Sequence, residues 1–351
     1  MNIIVDGFGG DNAPGEVING VLLALYTYRD LHITLVGKED VLSELLSTKS
    51  YDKERLTIVN ATEVIDCNKA PVEAIRTKKD SSIVVCLNLL KTGEYAGMVS
   101  AGSTGAVLSG AVLKLGRIPN VTRPALAPML PTLTGGKVLL IDCGANMDSR
   151  PINLCHYAVM GSEFMRSVEG IENPRVALLS VGVEDAKGNQ LVLETFPMMK
   201  ELPINFVGNM EARDALSGNY DVIVTDGFAG NVLLKSVEGA VSGLMKIVKG
   251  ALMTNLKTKI GGALIKKSLK QTLKRYDYEA YGGSPLLGTK QLVVKSHGSS
   301  NAVQILASIE QIIRFANNDL LNKLTQSMST FNKTEDVVEN SAPQTTDAQG
   351  E

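Results

Sequence analysis

Five short glycine-rich segments in this chain combine backbone amides with hydroxyl, amide and carboxylate side chains. They are residues 6–11, 100–105, 142–146, 226–231 and 296–300. A glycine-rich turn that leads into a helix directs backbone N–H groups and the positive end of the helix dipole at an anion. In residues 100–105, two glycines allow close approach, and Ser103 and Thr104 add hydroxyl donors. A single such turn is often only a tight connection, but five together predict a shared anion pocket.

Charged side chains near these segments are candidates for electrostatic catalysis. Lys187 follows a predicted strand, Lys235 follows residues 226–231, and Lys295 precedes His297. A lysine in such a place neutralises phosphate or stabilises an oxyanion, although each also fits a solvated surface lysine. His297 fits either an acid–base group and ligand donor or a hydrogen bonder at the start of a helix.

Several familiar chemistries are not supported by the sequence. It contains no P-loop, and no G-x-G-x-x-G followed about 20 positions later by an acidic residue. Nor does it contain a G-x-S-x-G nucleophile elbow. The four cysteines form no C-x-x-C pair, and with three histidines they make no conventional zinc set. Asp226 ends a predicted strand, where it orients a lysine or binds a loop amide. We therefore expect a site that binds an anion and polarises a carbonyl without a metal, a cofactor or a protein nucleophile.

The elements that position these residues follow from the hydrophobic pattern. Continuous β-branched apolar runs, typical of strands covered on both faces, occur at residues 2–6, 33–37, 56–60, 98–100, 137–142, 176–181, 205–207, 222–226 and 292–295. Segments with helical periodicity lie between them, at residues 16–28, 105–115, 152–166 and 302–321. This alternation predicts a three-layer α/β fold. Ligands in such folds bind beyond the carboxyl ends of the strands, which is where the glycine segments fall.

Two regions depart from this pattern. Residues 246–275 contain nine Lys or Arg residues, no Asp or Glu, and interleaved apolar residues. We predict a hairpin of two amphipathic helices at about 236–280 that meet at or near Gly261-Gly262. Residues 331–351 are acidic and poor in apolar residues, so we expect a disordered tail after a single α/β domain at 1–330.

Composition limits the class of protein and its partners. The net charge is −2, which gives no overall attraction to nucleic acid. No segment approaches the roughly 18–20 apolar residues that a membrane span needs, and the N-terminus lacks the features of a signal peptide. We therefore expect a cytoplasmic protein whose membrane contact is peripheral.

Taken together, the glycine segments resemble a known family. The resemblance covers residues 2 to about 317 and starts from Asp6, Gly9, Gly10, Asp11 and Pro14, which form D-x-x-G-G-D-x-x-P. It continues through residues 100–106, 142–146, 158–162, 187–189, 208–214, 226–232, 281–288 and 295–300. Their order and spacing resemble the phosphate acyltransferases of bacterial phospholipid synthesis.

The resemblance implies an activity and partners. The family converts acyl-[acyl-carrier-protein] and inorganic phosphate to acyl phosphate, which a downstream glycerol-3-phosphate acyltransferase uses. It also implies a homodimer with a Rossmann-like fold related to isocitrate and isopropylmalate dehydrogenases, and peripheral association with an anionic membrane surface. Under this hypothesis the hairpin contacts the membrane or the acidic carrier protein through Leu252, Leu256, Lys257, Lys259, Ile260, Leu264, Lys266 and Lys267. A plain pair of packing helices at a dimer interface is the alternative for the hairpin.

The same hypothesis gives roles to site residues. Phosphate would bind at Gly9, Gly10, Asp11, Gly102, Ser103, Thr104, Gly105, Ser299 and Ser300. One of its oxygens would attack the thioester carbonyl. Lys187 and Asn231 would stabilise the resulting oxyanion, with Asp226 and His297 completing the catalytic set.

Two other functions fit the sequence less well. An NAD-dependent hydroxy-acid dehydrogenase on the same fold would need an acidic residue for the ribose and a set of metal-binding carboxylates, and neither is evident. A non-catalytic membrane-bound scaffold for lipid enzymes would leave the five glycine segments unexplained.

Overall fold

Strands and helices alternate along most of the chain in the computed structural model, which describes residues 1–66, 70–273 and 282–339. The strands are β1 (Asn2–Asp6), β2 (His32–Gly37), β3 (Leu56–Asn60), β4 (Gly97–Ser100), β5 (Ala125–Leu126), β6 (Met129–Pro131), β7 (Lys137–Ile141), β8 (Arg175–Ser180), β9 (Asn205–Glu211), β10 (Val222–Val224), β11 (Ser284–Leu287) and β12 (Val293–Lys295). The helices are α1 (Gly15–Thr27), α2 (Glu39–Ser47), α3 (Pro71–Thr77), α4 (Ser82–Leu90), α5 (Thr104–Lys114), α6 (Pro151–Glu169), α7 (Gln190–Lys200), α8 (Gly227–Leu252), α9 (Leu256–Leu273), α10 (Ala302–Asn317) and α11 (Leu320–Glu339).

The strands form two sheets. A seven-stranded sheet has the order β3-β2-β1-β4-β12-β11-β5, and a five-stranded sheet has the order β6-β7-β10-β8-β9. Most neighbours are parallel, whereas β11 runs antiparallel to β12 and β5, and β6 runs antiparallel to β7. The predicted α/β fold with parallel strands is confirmed. The division into two sheets was not predicted, because β5 and β6 have only two and three residues and leave no recognisable apolar run.

Both sheets are covered on both faces, as the continuous apolar runs predicted. Ile3 and Ile4 are successive residues of β1, both are fully buried, and they belong to different hydrophobic clusters. Leu139 and Leu140 of β7 behave in the same way. The largest cluster contains residues from both sheets and from α6, so the two sheets share one continuous core.

The basic segment forms the predicted hairpin, but the position predicted for its turn is wrong. Helix α8 ends at Leu252 and α9 begins at Leu256, whereas Gly261-Gly262 lies inside α9. The Asn255 side chain accepts the Thr258 amide at 3.0 Å, and this cap starts the second helix earlier than the glycine pair. A Cβ built at Gly262 lies 3.4 Å from Leu252 Cβ, so this glycine sits where α9 approaches α8. Residues 274–280 of the predicted hairpin lie outside the described residues.

The C-terminal region also differs from the prediction. The helix expected at residues 302–321 is divided into α10 and α11, with Asp319 between them at a φ of 54°. Helix α11 continues to Glu339, beyond the boundary predicted at residue 330. The rest of the predicted tail, residues 340–351, lies outside the described part of the chain. Among the described residues, no helix combines the length and apolar character needed to cross a bilayer.

The contact between α1 and α10 gives a test of this packing. A Cβ at Gly20 would lie 2.6 Å from Ile305 Cβ and 2.8 Å from the Ala302 carbonyl oxygen, whereas a Cβ at Gly15 meets nothing within 4 Å. Overpacking of this kind costs about 1–3 kcal/mol. We expect Gly20→Val to lower the free energy of urea unfolding by about 2 kcal/mol, and the matched Gly15→Val to change it by less than about 0.5 kcal/mol. Equal effects of the two substitutions would contradict the packing described.

Candidate active site

The five glycine segments lie at the carboxyl ends of strands, but on two sheets instead of one. Three of them follow β1, β4 and β12, which are neighbours in the seven-stranded sheet. The other two follow β7 and β10, which are neighbours in the five-stranded sheet. A cavity of about 470 Å³ is lined by residues from turns of both groups. The site is therefore a cleft between two sheets. The expectation that all five segments lie at the edge of one sheet is wrong.

The buried carboxylate of Asp6 joins the first two turns. One of its oxygens accepts the Ser100 hydroxyl at 2.6 Å, and the other accepts the Phe8 amide at 3.2 Å. The Gly102 amide in turn donates to the Ser100 hydroxyl oxygen at 3.1 Å. A Cβ at Gly9 would lie only 2.6 Å from the Gly102 nitrogen, so the approach of the two turns requires glycine there. Burial raises the pKa of Asp6, and its hydrogen bonds to hydroxyls and to the Phe8 amide act against that rise.

The third turn, at residues 296–300, is bonded to the other two. The Asp11 amide donates to the Gly298 carbonyl at 2.7 Å, and the Ser296 amide donates to the Ser100 carbonyl at 2.9 Å. The Asn12 side chain donates to the Ser299 carbonyl at 2.9 Å. The three turns thus form one bonded unit.

Not every predicted phosphate donor is available in this unit. The Asp11 and Gly102 amides are engaged within the protein, by Gly298 and Ser100 respectively. The Ser103 hydroxyl oxygen is 3.5 Å from the Ala106 amide, as an N-cap of α5. Helix α5 begins at Thr104, and the first amides of a helix have no partner within it. The start of α5 therefore offers the best-placed donors for an anion.

On the second sheet, Asp142 organises the turn after β7. This fully buried carboxylate accepts the Leu126 amide at 2.9 Å and the Cys143 and Asn146 amides at 2.6 Å each. Burial raises its pKa to about 6 even though these amides favour the charged form. The Asn146 carbonyl accepts the Gly227 amide at 2.8 Å, which ties this turn to the start of α8. These contacts give Asp142 a structural role in the turn.

Helix α8 brings Asn231 to the cleft. Asp226 is the N-cap of this helix, and its carboxylate accepts the Ala229 amide at 2.9 Å. One turn further on, Asn231, Leu234 and Lys235 line the cavity. Asp226 itself does not line the cavity, and its observed contact is with the helix that carries Asn231.

His297 faces the cleft as a neutral ring. Its Nδ1 accepts the Ser299 amide at 3.3 Å and lies 2.8 Å from the Ser299 hydroxyl. The Ser299 amide can only donate, so Nδ1 accepts and carries no proton. The proton of the neutral ring is therefore on Nε2, which can donate a hydrogen bond. Desolvation, together with the positive charges of Lys235 and Lys295, lowers the pKa of His297.

Two lysines missing from the predicted catalytic set lie at the cleft, whereas Lys187 does not. Lys295 is 8% exposed and donates to the Ser296 carbonyl, and Lys235 pairs with Glu238 at 2.7 Å. Both line the cavity. Lys187 is exposed on the loop between β8 and α7 and is absent from the cavity lining. The sequence alone does not distinguish Lys187 from the other two lysines, because it does not show which loops face the cleft.

The remaining predicted residues divide in the same way. Thr104, Asn231, His297 and Ser299 line the cavity. Gly9, Gly10, Asp11, Gly102, Ser103, Gly105 and Ser300 belong to the bonded turns behind it. The cavity also has an apolar wall that the sequence did not indicate. This wall is formed by Leu126, Pro128, Met129, Leu130, Met147 and Leu234. In the described part of the chain, no group of three or more His, Cys, Asp or Glu residues is placed to hold a metal ion.

Glycine turns at the carboxyl ends of parallel strands, the start of α5 and an apolar wall form one cleft, an arrangement typical of α/β enzymes that bind anions. The chain belongs to the family described as "Fatty acid synthesis protein", whose model matches residues 1–323. It is 44% identical over 334 residues to the phosphate acyltransferase of Clostridioides difficile, covering 95% of this chain and 98% of the relative. It is 46% identical over 311 residues to that of Bacillus cereus, covering 89% and 93%.

A solved structure shows the same fold at low identity. A phosphotransacetylase from Streptococcus pyogenes superposes with a TM-score of 0.58 at 18% identity, covering 94% of each chain. The family therefore identifies the protein as an acyltransferase that acts on phosphate. Membership of this family favours that activity over a hydroxy-acid dehydrogenase and over a non-catalytic scaffold.

The protonation of His297 can be tested directly, because the chain has only three histidines. We expect its ring to titrate below 6.5 in a proton NMR titration, with His156, whose pKa burial lowers to about 4, as an internal reference. His32→Gln simplifies the assignment. Lys235→Met removes a positive charge that lowers the pKa of His297 and leaves the Glu238 charge that raises it, so we expect the pKa to rise. A fall in this variant, or an unchanged value, would contradict the proximity of the two side chains.

Proposed function

We propose that the protein transfers a fatty acyl group from acyl-[acyl-carrier-protein] to inorganic phosphate, giving acyl phosphate for glycerol-3-phosphate acylation in phospholipid synthesis. The observation that carries the proposal is the cleft itself, where amide-rich turns and an apolar wall enclose one cavity. The polar side suits a phosphate and the apolar wall suits the first methylenes of an acyl chain. No metal or cofactor is part of the proposal.

Phosphate binds at the bonded turns of the seven-stranded sheet. The amides at the start of α5, in particular those of Thr104 and Gly105, donate to it along the helix dipole. Gly9 and Gly10 allow the backbone to approach closely, and Ser299 and Ser300 add donors from the third turn. Lys295 supplies positive charge from within the same wall of the cleft.

The reaction proceeds by attack of a phosphate oxygen on the thioester carbonyl carbon. A C–O bond forms, the carbonyl electrons move to oxygen, and collapse of this oxyanion breaks the C–S bond. Asn231 stabilises the oxyanion, and Asp226 fixes the start of the helix that carries Asn231. Lys187, the other residue predicted for this role, lies outside the cleft. The thiolate of the carrier leaves and takes a proton from solvent, while the neutral His297 ring donates a hydrogen bond from Nε2–H to the leaving sulfur. A thiol of pKa about 8.5 leaves readily.

A carrier-protein release assay tests this function. We expect release of free carrier from a long-chain acyl-carrier-protein only when phosphate is present, with acyl phosphate as the product. Asn231→Ala removes a preorganised donor, so we expect kcat to fall about 10²- to 10³-fold. Release without phosphate, or no release with it, would overturn the proposed reaction.

The same assay separates the two oxyanion candidates. The exposed Asn219 and Lys91 give matched controls, Asn219→Ala and Lys91→Ala, which should keep the full rate. Lys187→Ala that also keeps the full rate would remove Lys187 from the mechanism without affecting the proposal for Asn231.

The hairpin supports a peripheral role at an anionic membrane surface. Leu256 and Leu264 of α9 are 75% and 80% exposed, and Ile260 lies between them at four-residue spacing. Lys257, Lys259, Lys266 and Lys267 of the same helix are also exposed. Apolar side chains flanked by lysines favour binding at the surface of an anionic bilayer. The positive charge of the hairpin also attracts the acidic carrier protein. In a cytoplasmic homodimer, two such hairpins would be present.

Vesicle flotation tests the membrane role. We expect binding to vesicles with anionic lipid and little binding to neutral vesicles. Each lysine near the surface contributes about 1 kcal/mol, so the double variant Lys257→Gln/Lys267→Gln should weaken binding by roughly 30-fold. The exposed lysines away from the hairpin give the control, Lys38→Gln/Lys91→Gln. Equal binding to neutral and anionic vesicles would reject the electrostatic part of this role.

A further inference from the structure

A second cavity lies inside the hairpin. It has a volume of about 650 Å³ and is formed between α8 and α9. Its lining includes Met245, Val248 and Leu252 from α8 and Ala263 and Leu269 from α9. Four lysines also line it, and all four are exposed: Lys246, Lys249, Lys259 and Lys266. The hairpin groove, as we name this cavity, is thus an apolar channel with positive charge along it.

The hairpin groove and the active-site cleft share one face of α8. Leu234 and Glu238 line the cleft, and Ser242, Met245 and Leu252 line the groove. These positions follow one another at spacings of four, four, three and seven residues, which place side chains on the same face of a helix. Glu238 and Ser242 are separated by four residues, or about 6 Å along the helix axis. The groove therefore begins one helical turn beyond the cleft.

The apolar wall of the cleft points to what runs along this face. Leu234, together with Met129 and Leu130, belongs to the apolar wall of the cleft. A molecule with an anionic or polar head at the turns and an aliphatic chain would leave the cleft along Leu234. From Leu234 to Leu252 the face extends for about 27 Å. A palmitoyl chain is shorter than this face, so its end would reach Ser242 and Met245 at the near end of the groove and not Leu252.

The outer surface of the hairpin is separate from the hairpin groove. Leu256, Ile260 and Leu264 are exposed and do not line the groove. The groove is lined instead by Lys259, Gly262, Ala263, Lys266 and Leu269, which lie on the other side of α9. Helix α9 thus has an outer apolar face and an inner one, so a change inside the groove can leave the outer surface intact.

We propose that the hairpin groove binds the distal part of the substrate's acyl chain, while its carbonyl end lies in the cleft. This inference rests on the proposed function, since it concerns the same acyl group. The lysines along the groove match the acidic carrier that delivers the chain. Burial of each methylene contributes about a fourfold gain in affinity, so long chains bind more tightly than short ones.

Two serines of α8 provide a matched test. Ser242 lines the groove at the end nearer the cleft, whereas Ser236 is exposed and lines neither cavity. Ser242→Trp and Ser236→Trp make the same change in helix propensity in the same helix. We measure KM and kcat of full-length protein with butyryl- and palmitoyl-carrier-protein at saturating phosphate. Ser242→Trp should raise the KM for the palmitoyl donor about tenfold or more, corresponding to two displaced methylenes.

Two further measurements serve as controls. Ser242→Trp should leave the KM for the butyryl donor within about twofold of wild type, because a short chain stays in the cleft. Ser236→Trp should leave both KM values unchanged. A wild-type KM for the palmitoyl donor in Ser242→Trp, or an equal rise for both donors, would overturn the inference. Met245→Trp, which also lies at the near end of the groove, repeats the test in case Ser242→Trp separates the two helices.

Failure of this inference is distinct from failure of the proposed function. If the wild-type protein transfers neither acyl group to phosphate, the proposed reaction is wrong. If it transfers both and the groove variants show no chain-length effect, only the acyl groove is rejected. Vesicle flotation of Ser242→Trp should match wild type, since the outer face of α9 is unchanged. A loss of flotation together with a higher palmitoyl KM would assign the groove to membrane contact and overturn the inference.

Discussion

The buried carboxylate of Asp6 is the interaction on which the geometry of the cleft depends. A buried charge is costly unless it is hydrogen-bonded, and Asp6 meets this requirement by bonding the Phe8 amide and the Ser100 hydroxyl. Ser100 then holds the Gly102 amide, so two loops that are 94 residues apart in sequence are held against each other. At that contact, no side chain larger than that of Gly9 fits beside the Gly102 nitrogen. The backbone itself is therefore the wall of the site, and its donors are in place before any anion arrives.

Asp142 has the corresponding role on the five-stranded sheet. It is also buried at the end of a strand, and its amide contacts shape the turn that meets the start of α8 through Asn146 and Gly227. Each sheet thus contributes one buried carboxylate that orders a glycine turn. Preorganised donors stabilise developing charge without reorganising during the reaction. The rigidity of both turns is for this reason a catalytic property as well as a structural one.

Much of the fold followed from the sequence because buried parallel strands leave an unambiguous pattern. The run at residues 137–142 is apolar at successive positions, and the structure buries both Leu139 and Leu140. The division into two sheets did not follow, because it depends on two-residue and three-residue strands whose pairing is decided by distant neighbours. The turn of the hairpin was misplaced because glycine permits a turn without requiring one, whereas Asn255 caps α9. For the site, the glycine segments could be recognised in the sequence. The position of Lys187 away from the cleft could not, because it depends on which loops face each other in the fold.

Helix α8 connects the chemistry to the basic hairpin. Its N-terminus is fixed by Asp226 and presents Asn231 to the cleft, and its 26 residues extend for about 39 Å. The segment from residue 246 to 275 carries nine positive charges in a chain whose net charge is −2, so the rest of the protein is acidic. The positive potential of the protein is therefore concentrated at the far end of α8. Helix α8 connects this basic end with the cleft, and Leu234 and Leu252 lie on one face of it.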